Sequence, residues 1–318
     1  MQKTVKHLAL ALVTVAAAVL SGCGGTGGTE VGATQALWVP NGTGTPTLLA
    51  FSPATIANGN IAPTSTITGA ATLLSGPTSM TFDSFGRLYV VDFNAGAVDV
   101  YSAGATGNAA PIKRIVGAST GMAGPEGIGV DATFDIYVAN RNGDSVTVYD
   151  AVSAGNATPL RTISGASTGL NGPEQMVVMP GGDFYVANVS AGTVTYFAAG
   201  ANGNVAPTRT LNISGGSPLG LALDAAGNIY VATFTDIRVY APAASGSAAP
   251  LRTISGATTT IQFLEGIAVD APGNIYVSDN TLNAILVFST SANGNVAPIR
   301  TIAGASTTLN SPIKPCIF

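Results

Sequence analysis

The chain has 318 residues, of which 46% are hydrophobic and 9% are charged, against roughly 25% charged residues in an ordinary soluble domain. A chain this hydrophobic, with a net charge of only −4, is not intrinsically disordered, and its two cysteines exclude a disulfide-rich scaffold. No cluster of basic residues is present, which excludes a nucleic-acid-binding protein.

The N-terminus has the layout of a secretory signal. Lys3 and Lys6 precede an apolar run at residues 8–20, which is shorter than the ~20 residues of a membrane span. Residues 20–23, Leu-Ser-Gly-Cys, resemble the lipobox of bacterial lipoproteins, which implies cleavage before Cys23 and acylation of that cysteine. We therefore expect a signal peptide at residues 1–22 and lipid-modified Cys23 with a flexible Gly/Thr-rich tether at residues 23–33. The alternative is an ordinary cleaved signal in which Cys23 is incidental.

A repeat governs the rest of the chain, residues 34–318. The phrase Gly-Asn-x-Ala-Pro, or a close variant, recurs with its proline at spacings of 48, 48, 48, 43 and 48 residues. These prolines are Pro63, Pro111, Pro159, Pro207, Pro250 and Pro298. Each period contains four short runs rich in Val, Ile, Tyr and Thr, bounded by Gly, Asn, Asp or Pro, which is typical of a four-stranded antiparallel propeller blade.

Aromatic residues recur at one register of the second and third runs, for example at Tyr137 and Tyr149. They are either a stripe for stacking a ligand or packing between neighbouring blades, and the second interpretation is favoured because both faces of a blade are covered. Phrases such as residues 266–279, GIAVDAPGNIYVSD, resemble the NHL-repeat family, which implies a six-bladed propeller.

The ends of the chain indicate how the ring closes. The first unit begins at its second strand, and Pro312 falls 14 residues after the last repeat proline, where a first strand opens in other units. We predict an all-β, six-bladed propeller in which a C-terminal strand at residues 311–318 completes the N-terminal blade.

Carboxylates recur at one inner position. Glu126, Glu174 and Glu265 occupy the equivalent place before the first strands, which line the channel of a propeller, and the second strands end at rim positions with amide or carboxylate groups. These rim residues are Asp92, Asn140, Asn188 and Asp279. Oxygen ligands converging on the axis are suited to Ca²⁺. The Glu-Gly pairs at 126–127 and 265–266 also resemble those of gluconolactonase-like propellers, which implies an axial metal held by Glu, Asn and Asp. The alternative is that the glutamates are ordinary rim residues.

The residue types of the mature chain argue against most enzyme chemistry. After removal of residues 1–22 the chain has 16 acidic and 10 basic residues, a net charge of about −6, and no histidine. Histidine-dependent acyl transfer or elimination is therefore excluded. Cys316 is expected to be a buried, inert thiol. The arginines at the fourth strands, such as Arg161 and Arg300, are expected to be solvated charges that prevent edge-to-edge pairing.

Taken together, these observations favour a monomeric binding or scaffold module. We expect it to be exported, anchored to a membrane of the bacterial envelope through Cys23 (the outer membrane in a Gram-negative cell), and to hold a protein or a glycan on one rim. The alternative is a divalent-metal-dependent hydrolase or lyase that uses the axial funnel. No enzyme activity or cofactor is required by the sequence, and Ca²⁺ is the one ion it suggests.

Overall fold

The computed structural model describes residues 19–20, 26–27, 35–55 and 57–318. Most of the predicted signal peptide and tether, including Cys23, lies outside the described residues, so these expectations stay predictions. Strand β1, Val19–Leu20, pairs with β2, Thr26–Gly27, in a small antiparallel sheet. Among the residues that are described, no helix is long and apolar enough to span a membrane.

Residues 35–318 form six four-stranded antiparallel sheets, one for each blade, and each sheet has its first strand at the centre of the ring. The strands of blades 1 to 3 are β3 Leu37–Pro40, β4 Thr47–Phe51 and β5 Ser65–Thr68; β6 Pro77–Phe82, β7 Leu88–Asp92, β8 Ala97–Tyr101 and β9 Lys113–Val116; β10 Pro125–Val130, β11 Ile136–Asn140, β12 Ser145–Tyr149 and β13 Arg161–Ser164. Those of blades 4 to 6 are β14 Pro173–Val178, β15 Phe184–Asn188, β16 Thr193–Phe197 and β17 Arg209–Asn212; β18 Gly220–Leu223, β19 Ile229–Ala232, β20 Ile237–Tyr240 and β21 Arg252–Ile254; β22 Leu264–Val269, β23 Ile275–Asp279, β24 Ala284–Phe288 and β25 Arg300–Ala303. The last strand, β26 Cys316–Ile317, is the inner strand of blade 1. Short 3₁₀ turns lie at Ala70–Thr72, Ala118–Thr120, Arg141–Gly143, Ala166–Thr168, Ala257–Thr259 and Ala305–Thr307.

The first and last strands of the ring meet in blade 1. Strand β26 pairs with β3, so that Cys316 lies opposite Trp38 and Ile317 opposite Leu37, and the sheet order is β26-β3-β4-β5. The prediction of a six-bladed, all-β propeller closed by the C-terminal strand is confirmed.

The core lies between adjacent blades. Both faces of most strands are buried, and the recurrent aromatics of the second and third strands pack there, with Tyr137 and Tyr149 each 1% exposed or less. Tyrosine hydroxyls reach the aspartates that end the inner strands; the hydroxyl of Tyr276, for example, bonds Asp270 at 3.1 Å. The aromatic register is therefore structural in the described blades.

Two expectations about individual side chains are corrected. The arginines of the outer strands are half-buried rather than solvated, since Arg161 and Arg300 turn inward and donate to the hydroxyls of Tyr137 and Tyr276 at 3.1 and 3.0 Å. The tyrosine hydroxyl replaces water as the acceptor, and the guanidinium gains a contact with the tyrosine ring that water does not provide. Cys316 is buried as expected, but it is disulfide-bonded rather than a thiol.

Blade 2 carries two acidic side chains at positions where its neighbours carry a neutral pair. In blade 3 the amide of Asn140 donates to Thr147 at 3.1 Å, but the equivalent residues of blade 2 are Asp92 and Asp99. Asp99 is fully buried, its carboxylate oxygens accept no hydrogen bond from a described residue, and its ion-pair partner Arg114 is 3.6 Å away. Burial raises the pKa of Asp99 to about 7, with attraction to Arg114 opposing and repulsion by Asp92 adding to the shift.

Candidate functional site

The three predicted glutamates line one cavity on the axis. Glu126, Glu174 and Glu265 are the second residues of the inner strands β10, β14 and β22, and each lies at a β-bulge; in β10 the pairing skips from Pro125 to Gly127. A bulge leaves one residue outside the ladder and changes the direction of its side chain. The three carboxylates consequently share a cavity of about 190 Å³ with Thr78, Asn280 and the C-terminal segment. We call this end of the ring the glutamate face.

A lysine that the sequence analysis did not select lies among these carboxylates. The Nζ of Lys314 is 2.8 Å from Oε2 of Glu126 and 3.0 Å from Oε2 of Glu174, and the lysine side chain is 1% exposed. Lys314 precedes β26, and it approaches blade 6 closely because Gly266 has no side chain; a Cβ there would lie 2.5 Å from the Lys314 Cα. The strand that closes the ring therefore brings its own cation to the axis.

Arg141 supplies a second cation. It begins the 3₁₀ turn after β11, and its guanidinium lies 3.0 Å from Oε1 of Glu174 and 3.9 Å from Oε1 of Glu126, while its side chain stays 45% exposed at the cavity mouth. The cavity therefore holds three carboxylates and two cations, and we call these five residues the axial charge cluster.

The pKa shifts in the cluster follow from burial and from this pairing. Burial alone would lower the pKa of Lys314, but attraction to Glu126 and Glu174 outweighs it and raises that pKa above its ordinary value. Glu265 has no such close partner, and burial, then repulsion by the other two glutamates, raises its pKa despite the attraction of Lys314. Burial thus favours the protonated form of Glu265.

The donor set does not fit a divalent cation. A metal held by Glu126 and Glu174 would have to displace the Lys314 ammonium group from the oxygens that it already contacts. Within residues 35–55 and 57–318, no group of three or more His, Cys, Asp and Glu side chains has a geometry that could hold a metal ion. The structure thus brings the three expected ligands to one cavity, but with a cation of the protein's own between two of them.

The four residues expected at the rim serve their own blades instead. Asp92, Asn140, Asn188 and Asp279 are all 0% exposed, and none lines the axial cavity. Asp92, for example, accepts hydrogen bonds from the backbone N–H groups of Ser75, Gly76 and Ala95. They lie at the ends of the second strands, as expected, but are buried there instead of facing an open rim, because the loop that leads into each inner strand needs acceptors for its buried N–H groups.

A larger cavity opens on the glutamate face between blades 4 and 5. Its volume is about 420 Å³, it is lined without any charged side chain, and its walls include Ser190, Ser217, Thr235 and Phe234. The ring of Phe234 lies 4.9 Å from that of Phe263. We call this cavity the blade 4–5 groove.

The short fifth repeat unit creates this groove. From the residue after β13 to the proline that opens blade 4 the chain has nine residues, 165–173, with a 3₁₀ turn among them. The equivalent stretch, from the residue after β17 to Pro218, has six residues, 213–218, and no 3₁₀ turn. The turn between the second and third strands is also shorter in blade 5 than in blade 4. Four residues separate the paired Ala232 and Ile237 in blade 5, and six separate the paired Ala187 and Val194 in blade 4.

A second change in the sequence accompanies the missing 3₁₀ turn. In blade 4 the side chain of Asn204 accepts from the N–H of Ser167 in the turn that precedes that blade, at 2.8 Å, and the equivalent of Asn204 beside the groove is Ser247. The asparagine is therefore absent where there is no 3₁₀ turn for it to cap.

No protein-family model matches the chain, and no curated protein matches it. Solved structures do share its fold. A chain of the nidogen/laminin complex is 14% identical, with 89% of this chain and 98% of that one covered and a TM-score of 0.61. A protein from Lactobacillus plantarum is 13% identical over 90% of this chain and 99% of its own, with a TM-score of 0.62. Streptogramin B lyase is 12% identical over 95% and 88%, with a TM-score of 0.57.

These similarities concern the fold. They span a binding complex and a lyase, and a propeller ring accommodates either kind of function. The function of this chain therefore depends on the side chains that line its own cavities.

Proposed function

We propose that this protein is a binding module of the bacterial envelope, tethered by lipid on Cys23, that holds a protein or a glycan on its glutamate face. The blade 4–5 groove carries the proposal, because it has the volume of a ligand site, offers hydroxyl groups and an aromatic ring, and results from a departure in one repeat unit alone. Its uncharged lining suits a neutral, hydrogen-bonding ligand.

The axial cluster supports binding over metal-dependent catalysis. Two of its three carboxylates, Glu126 and Glu174, are paired with Lys314 and Arg141, and the donor set does not fit a metal, so the hydrolase or lyase alternative has no observation in its favour. The chain also has no histidine beyond His7 to act as a general base.

The anchor is supported by the lipobox-like sequence at residues 20–23. A sulfur that carries a diacylglyceryl thioether cannot join a disulfide. Cys316 is disulfide-bonded in the structure and Cys23 is the only other cysteine of the sequence, so the proposed anchor is a state of the protein in which that disulfide has not formed. Mass spectrometry of the membrane-extracted protein distinguishes the two states, since they differ by the mass of the lipid. An unacylated Cys23 in a disulfide would overturn the anchor.

Filling the groove tests the binding role. In the groove-filled variant, residues 165–173 are copied in place of residues 213–218, and Ser247→Asn restores the cap of the 3₁₀ turn. In the control, residues 117–125 replace residues 165–173, which exchanges one complete connection for another of equal length.

The measurement is co-sedimentation of the mature chain carrying Cys23→Ser with isolated peptidoglycan, and cross-linking to separately extracted envelope proteins. We expect saturable binding by the parent and the control and its loss in the groove-filled variant. Equal binding by all three would show that the groove is not the site, and absence of binding by the parent to either fraction would overturn the proposed function.

A further inference from the structure

The face opposite the glutamates carries an aromatic feature that the binding role does not use. It is formed by the turns between the first and second strands of blades 2 and 3, and we call this side of the ring the turn face. Phe85 belongs to the first of these turns and is 68% exposed, and Phe134 belongs to the second. Their ring centroids are 5.4 Å apart with an angle of 31° between the planes.

Phe134 is held in a conformation that disfavours it. Its φ is 67°, in the left-handed region, and the same turn position in other blades is Gly86, Gly182, Gly227 and Gly273, all with positive φ. Glycine adopts this conformation without a steric penalty, whereas a residue with a Cβ is strained there. Strained backbone conformations of this kind cluster at functional sites.

Arg87 joins the two rings into one surface. Its guanidinium carbon lies 5.7 Å from the Phe85 centroid and 5.2 Å from that of Phe134, and its Nε pairs with Asp83 at 2.5 Å. The positive charge is thus balanced by a carboxylate. We call Phe85, Arg87 and Phe134 the aromatic platform: two phenylalanine rings and one partly exposed guanidinium whose charge is balanced by buried Asp83.

The platform lies beside the place where the N-terminal segment joins the ring. Ala36 exchanges backbone hydrogen bonds of 2.6 and 3.0 Å with Phe318. The Phe318 ring in turn lies 3.7 Å from where a Cβ of Gly86 would be, and Gly86 follows Phe85 in the turn. Eleven residues separate Cys23 from Gln35, and they span at most about 40 Å when fully extended.

We propose that the aromatic platform is a membrane-contact surface that inserts between lipid headgroups and orients the anchored propeller with its turn face toward the bilayer. This inference rests on the lipid anchor of the proposed function. Phenylalanine is among the side chains that membrane-surface segments bury at the boundary between headgroups and acyl chains, and the balanced charge of Arg87 suits a zwitterionic lipid. The glutamate face and its blade 4–5 groove then point away from the membrane, toward a ligand.

The test uses the full, lipidated chain reconstituted into vesicles of brominated phosphatidylcholine, in which bromine quenches tryptophan fluorescence at short range. Trp38→Phe removes the single native tryptophan. Phe85→Trp then reports from the platform and keeps an aromatic ring there. Leu73→Trp is the matched control, because Leu73 is 48% exposed in the loop that leads into the inner strand of blade 2, on the glutamate face.

We expect brominated lipid to quench most of the emission of Phe85→Trp and to shift it to the blue, while Leu73→Trp keeps the emission that it has in unbrominated vesicles. Adding Phe134→Gly to Phe85→Trp restores the glycine of the other turns and should return most of the emission, with a melting temperature within a few degrees of the parent. Equal quenching at positions 85 and 73, or undiminished quenching after Phe134→Gly, would overturn the platform as a lipid-contact surface.

Failure of the anchor is distinguishable from failure of this inference. A chain without a lipid stays in the soluble fraction when vesicles are floated, whereas an anchored chain in the wrong orientation floats without quenching of Phe85→Trp. If Phe85→Trp floats and is quenched less by brominated lipid than by an added soluble quencher, the platform faces solvent and the inference is wrong.

Discussion

Removal of the Lys314 ammonium group should destabilise the ring more than any other change of one charge. Lys314→Met keeps the length and apolar body of the side chain but leaves Glu126, Glu174 and Glu265 facing one another with Arg141 alone. Breaking a buried ion pair by removing one partner costs about 3–5 kcal/mol. Against a total stability of about 5–15 kcal/mol, that is a large fraction.

The assay is guanidinium denaturation at pH 7 of the mature chain, with thermal melting as a second readout. At roughly 2–4 °C per kcal/mol for a domain of this size class, the melting temperature should fall by roughly 6–20 °C. Lys113→Met is the matched control, because Lys113 donates to the carbonyl of Ala151 on the outside of the ring rather than to a carboxylate. It should cost no more than about 1.5 kcal/mol.

A rescue variant separates charge from packing. Lys314→Met combined with Glu126→Gln and Glu174→Gln removes the whole ion pair, and replacing a complete buried pair is often neutral in stability. We therefore expect most of the lost stability to return. If Lys314→Met unfolds at the same denaturant concentration as the parent, or the two glutamine substitutions restore nothing, the axial charge cluster does not stabilise the ring in the way described.

Other outcomes follow from the same structure. The pKa of Asp99 is about 7 in the folded protein and about 4 in the unfolded chain, so the free energy of unfolding should fall by up to about 4 kcal/mol as the pH rises from about 4 to about 7. Denaturant melts of Asp99→Asn should show a weaker dependence on pH. Deleting residues 311–318 should leave an unfolded or aggregated chain, since their apolar burial contributes about 4–9 kcal/mol; a cooperative melt near that of full length would contradict this. The wild-type melt should be indifferent to EDTA and to millimolar Ca²⁺, and a calcium-dependent rise lost in Glu126→Gln/Glu265→Gln would reinstate the metal site. Cys23→Ser should abolish incorporation of a palmitate analogue, and label that persists would exclude acylation of that residue.

The fold was predictable from the sequence because the repeat supplies the same information six times. The four apolar runs of each unit, the turn residues between them and the register of Pro312 are local signals, and each is reinforced by its copies. The convergence of Glu126, Glu174 and Glu265 was predictable on the same ground, since equivalent positions of a closed ring face one axis.

The cationic partners of these glutamates were harder to predict from the sequence, because they occur at positions that do not follow the repeat. Lys314 occupies a position held by Gly127, Gly220 and Gly266 in three other blades, and it contacts Glu126, which is 188 residues away in sequence. The only signal in the sequence was a lysine within the apolar C-terminal segment, and a comparison of repeat units does not identify a residue that occurs in one unit alone. The burial of Asp92 and Asn140 was missed for a different reason: side chains that bind ions and those that cap backbone N–H groups are of the same types.

Closure of the ring by β26 also means that blade 1, the first to be synthesised, is the last to be completed. Synthesis proceeds from blade 1 outward, yet the inner strand of blade 1 is the last to appear, and Lys314 arrives with it. Until then blade 1 has three strands, Trp38 and Leu37 are paired on the β4 side alone, and the axial carboxylates lack their buried cation. For the export proposed above, this order would keep the chain open during translocation, because the ring cannot close before β26 has followed.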